Sequence, residues 1–305
     1  MTHPYATAAY AQSLAHAGDP LAIPEWDSQV LTRKTPCGGR RDATGPYPLA
    51  VIAPEADIAD GLDRLEDAGL VSVVVVLDDR LRPPLEDIAA AFDFVRPYKS
   101  HFIHDRGIGP LQLAKHHRYE VRRALLQVEV AEFDLADQLP AWQALYGQLV
   151  ARHGLSGVQA FSPAHHQALA RLPGLRAFGG FVGGRLVSAH LFVTHHGYAV
   201  SHLAASSTEG YARGAAYAVN DFAVAALSDC EAISFGGAAG AGDDPADGLV
   251  RFKRGFANRT VTAWLAGKVF DPAAYAALSK GRDDKGYFPA YRGVSLREPA
   301  NADPG

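Results

Sequence analysis

Four consecutive valines, Val73 to Val76, sit inside the apolar run Gly69 to Leu77, and no other stretch constrains the fold as strongly. β-Branched density of this kind reads as a buried strand over Val71 to Leu77. Tyr47-Pro48-Leu49-Ala50-Val51-Ile52 reads as another strand, and between the two Ile58, Leu62 and Leu65 recur at helical spacing within Ala56 to Ala68. A helix over Leu85 to Phe92 and an alternating strand over Phe94 to Asp105 follow. The first half therefore alternates strand, helix, strand, helix, strand, which is α/β in character. Ahead of it lies an Ala-rich helical arm, Tyr5 to Ala17, broken from the rest by Pro20 and Pro24.

The valine run is far too short to cross a bilayer, and the N-terminus has no basic region followed by an apolar one, so no membrane contact is expected and the location expected is cytoplasmic. The chain has 305 residues, enough for two average domains, with 48% hydrophobic and 20% charged residues, as in an ordinary globular protein. Its formal net charge of −4 argues against a surface uniformly coated for nucleic acid, while leaving room for a local basic face. Cys37 and Cys230 stand far apart at no ligand or redox spacing, so free thiols are expected rather than a disulfide or zinc site. His190, His195 and His196 lack a third placed ligand, and no metal is expected.

Leu111 to Leu126 reads as a basic helix in which Lys115, His116, His117, Arg118, Arg122 and Arg123 fall within nine positions, Arg118 and Arg122 on one face. After a strand over Gln127 to Phe133, Asp134 is placed to cap a helix running to His153, with Leu139, Trp142, Leu145, Tyr146 and Leu149 as its apolar stripe. Ser162-Pro163 opens another helix. Three strands follow, Leu175 to Val182, Arg185 to Thr194 and Tyr198 to Ala205, the first two joined by Gly183-Gly184. Then come a helix over Gly214 to Leu227, a strand over Glu231 to Phe235, a short helix and a last strand, Thr260 to Phe270. This order predicts one domain over 1–133, a second over 134–282, and a polar, irregular surface tail over 283–305.

The densest chemistry lies at Ser234-Phe235-Gly236-Gly237, an Ala/Gly/Asp loop, and Asp247-Gly248-Leu249-Val250-Arg251-Phe252-Lys253-Arg254-Gly255-Phe256. A strand ending in two glycines brings backbone close to a neighbour, and the second segment sets two cations between two aromatic anchors. That text resembles the closing motif of the FemAB/FemX-like tandem-GNAT transferases. Lys115-His-His-Arg-Tyr-Glu-Val-Arg-Arg-Ala resembles the basic helix ending that family's first domain. Leu145-Tyr146 through Arg152-His153-Gly154 with Phe161-Ser162, and Tyr198 to Ser206, resemble the start and central strand of its second. The resemblance runs from about Leu111 to Phe270 and implies a mixed α+β fold. It implies two GNAT-like domains, each a mixed central sheet flanked by helices, the first degenerate and the second carrying the active site.

The resemblance implies acyl transfer to an amine, with aminoacyl-tRNA as the expected co-substrate, acyl-CoA as the alternative donor, and no resident cofactor. The expected acceptor is a small-molecule amine. A non-catalytic tandem-GNAT protein that senses a metabolite is the further alternative. Lys253, of the Phe252-Lys253 pair, is the candidate to stabilise the oxyanion of amide formation, where a preorganised donor contributes roughly 2.7 to 4 kcal/mol. Lys253 and Arg254 can equally solvate a helix face. His202 shares a strand face with Tyr198 and Val200; it is read either as a base for the attacking amine or as a core histidine. Arg152, with Arg33 or Lys34, falls where the family grips the acceptor. Tyr211-Ala212-Arg213-Gly214-Ala215-Ala216 keeps only the last Gly-x-Ala of the CoA pyrophosphate loop, and Tyr211 at its first position weakens the CoA reading. Lys115, Arg118, Arg122 and Arg123 are the candidate grip on a nucleic-acid backbone, with Arg254 and Arg259 as a possible extension.

Overall fold

A computed structural model describes residues 2–36, 39–238, 247–282 and 287–293. Cys37, the Ala/Gly/Asp loop from 239 to 246 and most of the expected tail lie outside the described residues. In chain order the elements are α1 (Ala8–Ser13), β1 (Asp19–Ile23), β2 (Ser28–Lys34), β3 (Arg41–Thr44), α2 (Ile58–Asp67), β4 (Ser72–Leu77) and α3 (Leu85–Ala91). Next are β5 (Phe94–Asp105), α4 (Lys115–Leu125), β6 (Glu129–Phe133), α5 (Leu139–His153) and α6 (Pro163–Leu169). The meander β7 (Leu175–Val182), β8 (Arg185–His195) and β9 (Tyr198–Ser206) follows. After it come α7 (Thr208–Ala212), α8 (Ala215–Ala226), β10 (Ala232–Ser234), α9 (Gly248–Arg254), β11 (Arg259–Val269) and α10 (Pro272–Ser279). Mixed α+β structure is what the resemblance implies.

The chain forms two compact units, one of residues 1–16 and 97–263, the other of 17–96 and 264–305. In the second, β1, β2 and β3 are antiparallel neighbours, β3 runs parallel to β4 (Ala43↔Val73), and β4 is antiparallel to β11 (Leu77↔Trp264). Trp26, Ile52, Leu62, Leu65, Val73 and Val75 fill its core. The strand expected over Tyr47 to Ile52 is reduced to a single bridge, Ala50↔Leu77, because Pro48 has no N–H to give a ladder. The prolines read as breakers include Pro20, which lies inside β1; β1 is the outermost strand, where a missing donor costs no pairing. The tail also departs from expectation. Within 283–305 Tyr291 is fully buried, and ahead of it α10, capped by Asp271 accepting from Ala274 N–H at 2.8 Å, is not expected from the sequence.

In the first unit, β10 is antiparallel to β5 and parallel to β9, and β9, β8, β7 and β6 form an antiparallel meander. β6 pairs with β7 from Glu129↔Phe181 to Phe133↔Ala177, so the boundary expected at 133/134 falls within one sheet. One face of that sheet packs Phe178, Phe192, Ala199, Ile233 and Phe235 against Val121 of α4, Val219 and Ala223 of α8, and Val250 of α9. On the other face α5 and the α1–α6 pair cover β9, bringing Tyr5, Tyr10, Trp142, His165 and His166 together. Two turns in the meander follow their sequence signals. Gly183 and Gly184 have φ of 53° and 74°, and His196 and Gly197 have φ of 44° and 74°, the left-handed pairs a tight hairpin requires.

Candidate functional site

The glycine-rich strand end marks a place where the sheet opens. β9 and β10 pair only from Tyr198↔Ala232 to Val200↔Ser234. Phe235 N–H then donates to Phe102 of β5 at 2.9 Å and the chain turns at Gly236, while β9 runs on to Ser206 against β8. A bulge adds one residue to β9 opposite Leu191 and Phe192, at His202. Ser201 is consequently half-exposed and Ala204 exposed in mid-strand.

Two ammonium groups meet at that turn. Gly236 has φ of 70°, and a Cβ on Gly237 would sit 2.9 Å from Ser100 O, so the Gly-Gly pair is required by conformation and by close approach. The turned carbonyls accept from lysines on either side, Lys253 Nζ to Gly237 O at 2.6 Å and Lys99 Nζ to Ala238 O at 3.1 Å. Burial, with Lys99 beside it, pushes the Lys253 ammonium down to about 8, and Asp247 opposes this. Among the described residues no carboxylate lies within ion-pair distance of Lys253, whose remaining N–H groups are open to an anion.

Lys253 is held there by a contact between the two basic motifs. A Cβ on Gly255 would lie 2.0 Å from Nε2 of His117, so the glycine of Phe-Lys-Arg-Gly-Phe exists to admit the imidazole of Lys-His-His-Arg. His117 Nε2 also meets the Phe252 carbonyl at 3.1 Å, and the Phe252 ring packs edge-on against Tyr217 of α8 at 4.9 Å. Phe252 thus positions Lys253 by packing. Arg254 is exposed, its guanidinium 5.8 Å from the centre of the Phe102 ring.

On the same sheet face a chain of side chains reaches from the interior to the opening. His190 of β8 is buried; its Nδ1 lies 2.5 Å from Asn220 Oδ1 on α8 and its Nε2 lies 2.7 Å from Ser201 Oγ on β9. Asn220 itself is 1% exposed. Burial pushes the His190 imidazole down to about 4; the Asn220 bond opposes this and the Lys253 charge adds to it. His190 and Lys253 therefore sense one another electrostatically.

His202 does not join them. It points to the opposite face, where Nδ1 meets the Tyr5 hydroxyl at 3.1 Å and the ring packs near Tyr10 and His165. Burial, with His166 nearby, pushes it down to about 3. The core reading of His202 is the one its surroundings fit, and Tyr198, buried at the start of β9, shares that face. Arg152 and Tyr211 do come together at the surface: the guanidinium stacks 4.3 Å above the Tyr211 ring and donates to Thr208 Oγ1 at 3.1 Å. Gly214 caps α8 with φ of 66°, and a Cβ there would meet Arg123 Nη2 at 3.3 Å and Glu120 Oε2 at 3.4 Å. A carboxylate thus occupies the space beside the helix N-terminus that a pyrophosphate would need.

On α4, Lys115, Arg118, Arg122 and Arg123 are all exposed; Arg123 pairs with Glu120 at 2.7 Å and Arg118 donates to Leu113 O at 2.6 Å. Arg33, in the second unit, is consumed in an ion pair with Asp42 at 3.0 Å, and Lys34 is exposed with its carbonyl accepting from Arg292. Neither presents a charge committed to a ligand. A cavity of about 450 Å³ lies beside Phe133, Leu172 and Arg176 and contains none of the candidate residues. Its arginine is neutralised by Glu132 and Asp229, so the cavity offers little chemistry. Among the described residues no three His, Cys, Asp or Glu side chains converge as a metal set.

Sequence reading misses Lys99, Ser201 and Asn220, and weighs His190 only as a metal ligand. One usable signal exists. A His-Gly hairpin at 196–197 sets Ser201 opposite Phe192, and alternation then puts His190 on the same face. Lys99 and Asn220 carry no local signal, since tertiary packing alone brings them in.

No family model matches the sequence, and no curated protein does. Solved structures do share the fold. The C-terminal domain of a putative lysylphosphatidylglycerol synthetase from Agrobacterium fabrum superposes with a TM-score of 0.60 at 15% identity, covering 89% of this chain and 89% of that one. FemX gives 0.60 at 12% identity over 89% of this chain and 93% of its own. L-PGS from Bacillus licheniformis gives 0.57 at 11% identity over 88% and 94%. The chain therefore has the FemX-like GNAT fold that its motifs resemble.

Proposed function

We propose that this protein is an acyltransferase that moves an aminoacyl group from aminoacyl-tRNA to the amine of a small-molecule acceptor, forming an amide. The observation that carries this reading is the Lys253 ammonium, held at the Gly236-Gly237 turn beside the opening between β9 and β10 without a carboxylate partner among the described residues. Attack on an ester puts negative charge on the carbonyl oxygen, and a fixed cation in a partly desolvated site lowers the energy of that state. Phe252 and His117 hold the lysine in place. Lys99 adds a second positive charge for the same oxyanion or for the donor's carboxyl-derived oxygen.

A tRNA donor is supported by the exposed cations Lys115, Arg118 and Arg122 along α4. The acyl-CoA alternative is disfavoured by Tyr211 in the loop and by Glu120 at the start of α8. Arg152, stacked on Tyr211, is the candidate for the acceptor. The tandem arrangement of two GNAT-like domains is part of the same proposal, as is the absence of a resident cofactor.

Incubating the purified protein with a mixed aminoacyl-tRNA pool and a panel of amines tests the donor. Amide formation abolished by RNase is expected; RNase-insensitive turnover with acetyl-CoA or another acyl-CoA would exclude tRNA. Arg122→Glu should weaken tRNA binding and flatten its salt dependence by about one unit of log–log slope.

A further inference from the structure

Ser201, His190 and Asn220 have the connectivity of a nucleophile, a base and an orienting group. Asn220 Oδ1 accepts from His190 Nδ1–H at 2.5 Å, which fixes the tautomer that leaves the Nε2 lone pair facing Ser201. Ser201 Oγ–H donates to that nitrogen at 2.7 Å. The histidine and the asparagine are buried, while the serine is half-exposed at the first residue of β9 beyond the last pair with β10. Three elements, β8, β9 and α8, hold the three groups, so the arrangement is rigid. A histidine that needed only satisfaction in a core would not require its partner to stand at an opening.

We propose that Ser201 is an acyl-accepting nucleophile, activated by His190 and oriented through Asn220, so that transfer proceeds through an acyl-serine ester. This rests on the acyl-transfer reading and extends it to a two-step route. Ser201 Oγ attacks the carbonyl carbon of the donor ester while its proton passes to His190 Nε2. The bond from that carbon to the donor hydroxyl oxygen breaks, and the proton on His190 goes to the leaving oxygen. The acceptor amine then attacks the acyl-serine carbonyl. Its proton returns through His190 Nε2 to Ser201 Oγ as the Oγ–C bond breaks, and the amide is released. Because burial disfavours its imidazolium, with the Lys253 charge adding to this and the Asn220 bond opposing it, His190 remains uncharged from about pH 5 upward and is available as the base.

The test uses a fluorophosphonate, which phosphonylates activated serines and needs no knowledge of the substrate. The full chain should gain one phosphonyl adduct by intact mass, mapped to Ser201 by peptide sequencing. Ser201→Ala should gain none, and because the Ser201 hydroxyl meets His190 alone among the described residues the fold of this variant should persist by near-UV circular dichroism. His190→Gln should label at least about 10²-fold more slowly, the scale of general-base assistance. A folded wild type without an adduct, an adduct only elsewhere, or His190→Gln labelling at the wild-type rate would overturn the proposal. So would transfer at the wild-type rate by Ser201→Ala with any active donor. Failure of every donor would count against the transfer reading alone, since the labelling result stands independently.

Discussion

Each unit of this protein concentrates basic side chains, but their partners differ. In the second unit Asp42, fully buried, accepts from Arg33 at 3.0 Å, from Arg292 and from the Tyr291 hydroxyl at 2.9 Å, and Tyr291 also meets Ser72 at 2.8 Å. In the first unit Lys253 and Lys99 lie against backbone carbonyls of the Gly-Gly turn. A carboxylate cancels a cation and leaves nothing for a ligand; the Gly237 carbonyl dipole orients the Lys253 ammonium, which has no carboxylate partner among the described residues. The first arrangement ties the segment 287–293 to the sheet. The second leaves Lys253 with capacity for an anion, and its depression to about 8 records its burial and the neighbouring Lys99 charge.

The contrast breaks or sharpens under substitution. Asp42→Ala leaves two half-buried arginines without their partner and should cost about 3–5 kcal/mol of stability, seen as a lowered denaturant midpoint, with the rate constants of surviving folded protein unchanged. An effect on turnover without loss of stability would erase the distinction between the clusters. Lys253→Ala should do the reverse, lowering kcat by about 10²- to 10³-fold in a transfer assay with little change in melting temperature. Because only the ammonium stabilises an oxyanion, the wild-type rate should also fall as pH rises through about 8, and Lys253→Arg should move that limb upward. A limb unmoved in Lys253→Arg would assign it to another group.

Gly255→Ala probes the seat of Lys253. The added methyl meets His117 at 2.0 Å, so about 1–3 kcal/mol of overpacking strain is expected, together with a loss of transfer rate larger than the loss of stability predicts. The remaining prediction concerns acid, and here several groups add. His165, His166, His190 and His202 are pushed to about 2, 4, 4 and 3 by burial, all below the ordinary 6.5. Below pH 6.5 the unfolded chain binds protons that these folded imidazoles refuse, so stability is whole above 6.5 and falls as pH drops toward 4. Each such histidine adds about 1.4 kcal/mol per pH unit to the slope, which denaturant titrations between pH 7 and 4.5 can measure. A flat profile would place these rings in contact with water.

Much of the fold was readable because its signals are local. Ser162 caps α6 with its own side chain, accepting from His165 N–H at 3.2 Å, whereas Asp134 accepts from Ala136 N–H at 2.8 Å ahead of α5, which starts at Leu139 without a side-chain cap. Strands β1 to β3 were not readable, since their residues neither alternate cleanly nor cluster β-branched types, and α10 hid behind a tail of turn-forming residues. Within the candidate site, Lys253, Phe252 and the Gly-Gly turn stood out as motif text, whereas strand alternation placed His202 on one face with Tyr198 without telling which face opens.

Sequence by itself determined most of the helices, the order of the meander, the need for glycine at Gly236 and Gly237, and the resemblance to one fold. Each of those follows from backbone freedom, periodicity or residue type within a few positions. Tertiary structure alone decided that Lys99 stands beside Lys253, that Asn220 and Ser201 flank His190, and that Arg33 is spent on Asp42. Those pairings join residues 9 to 154 positions apart, and only strand register and helix packing bring such groups within a hydrogen bond.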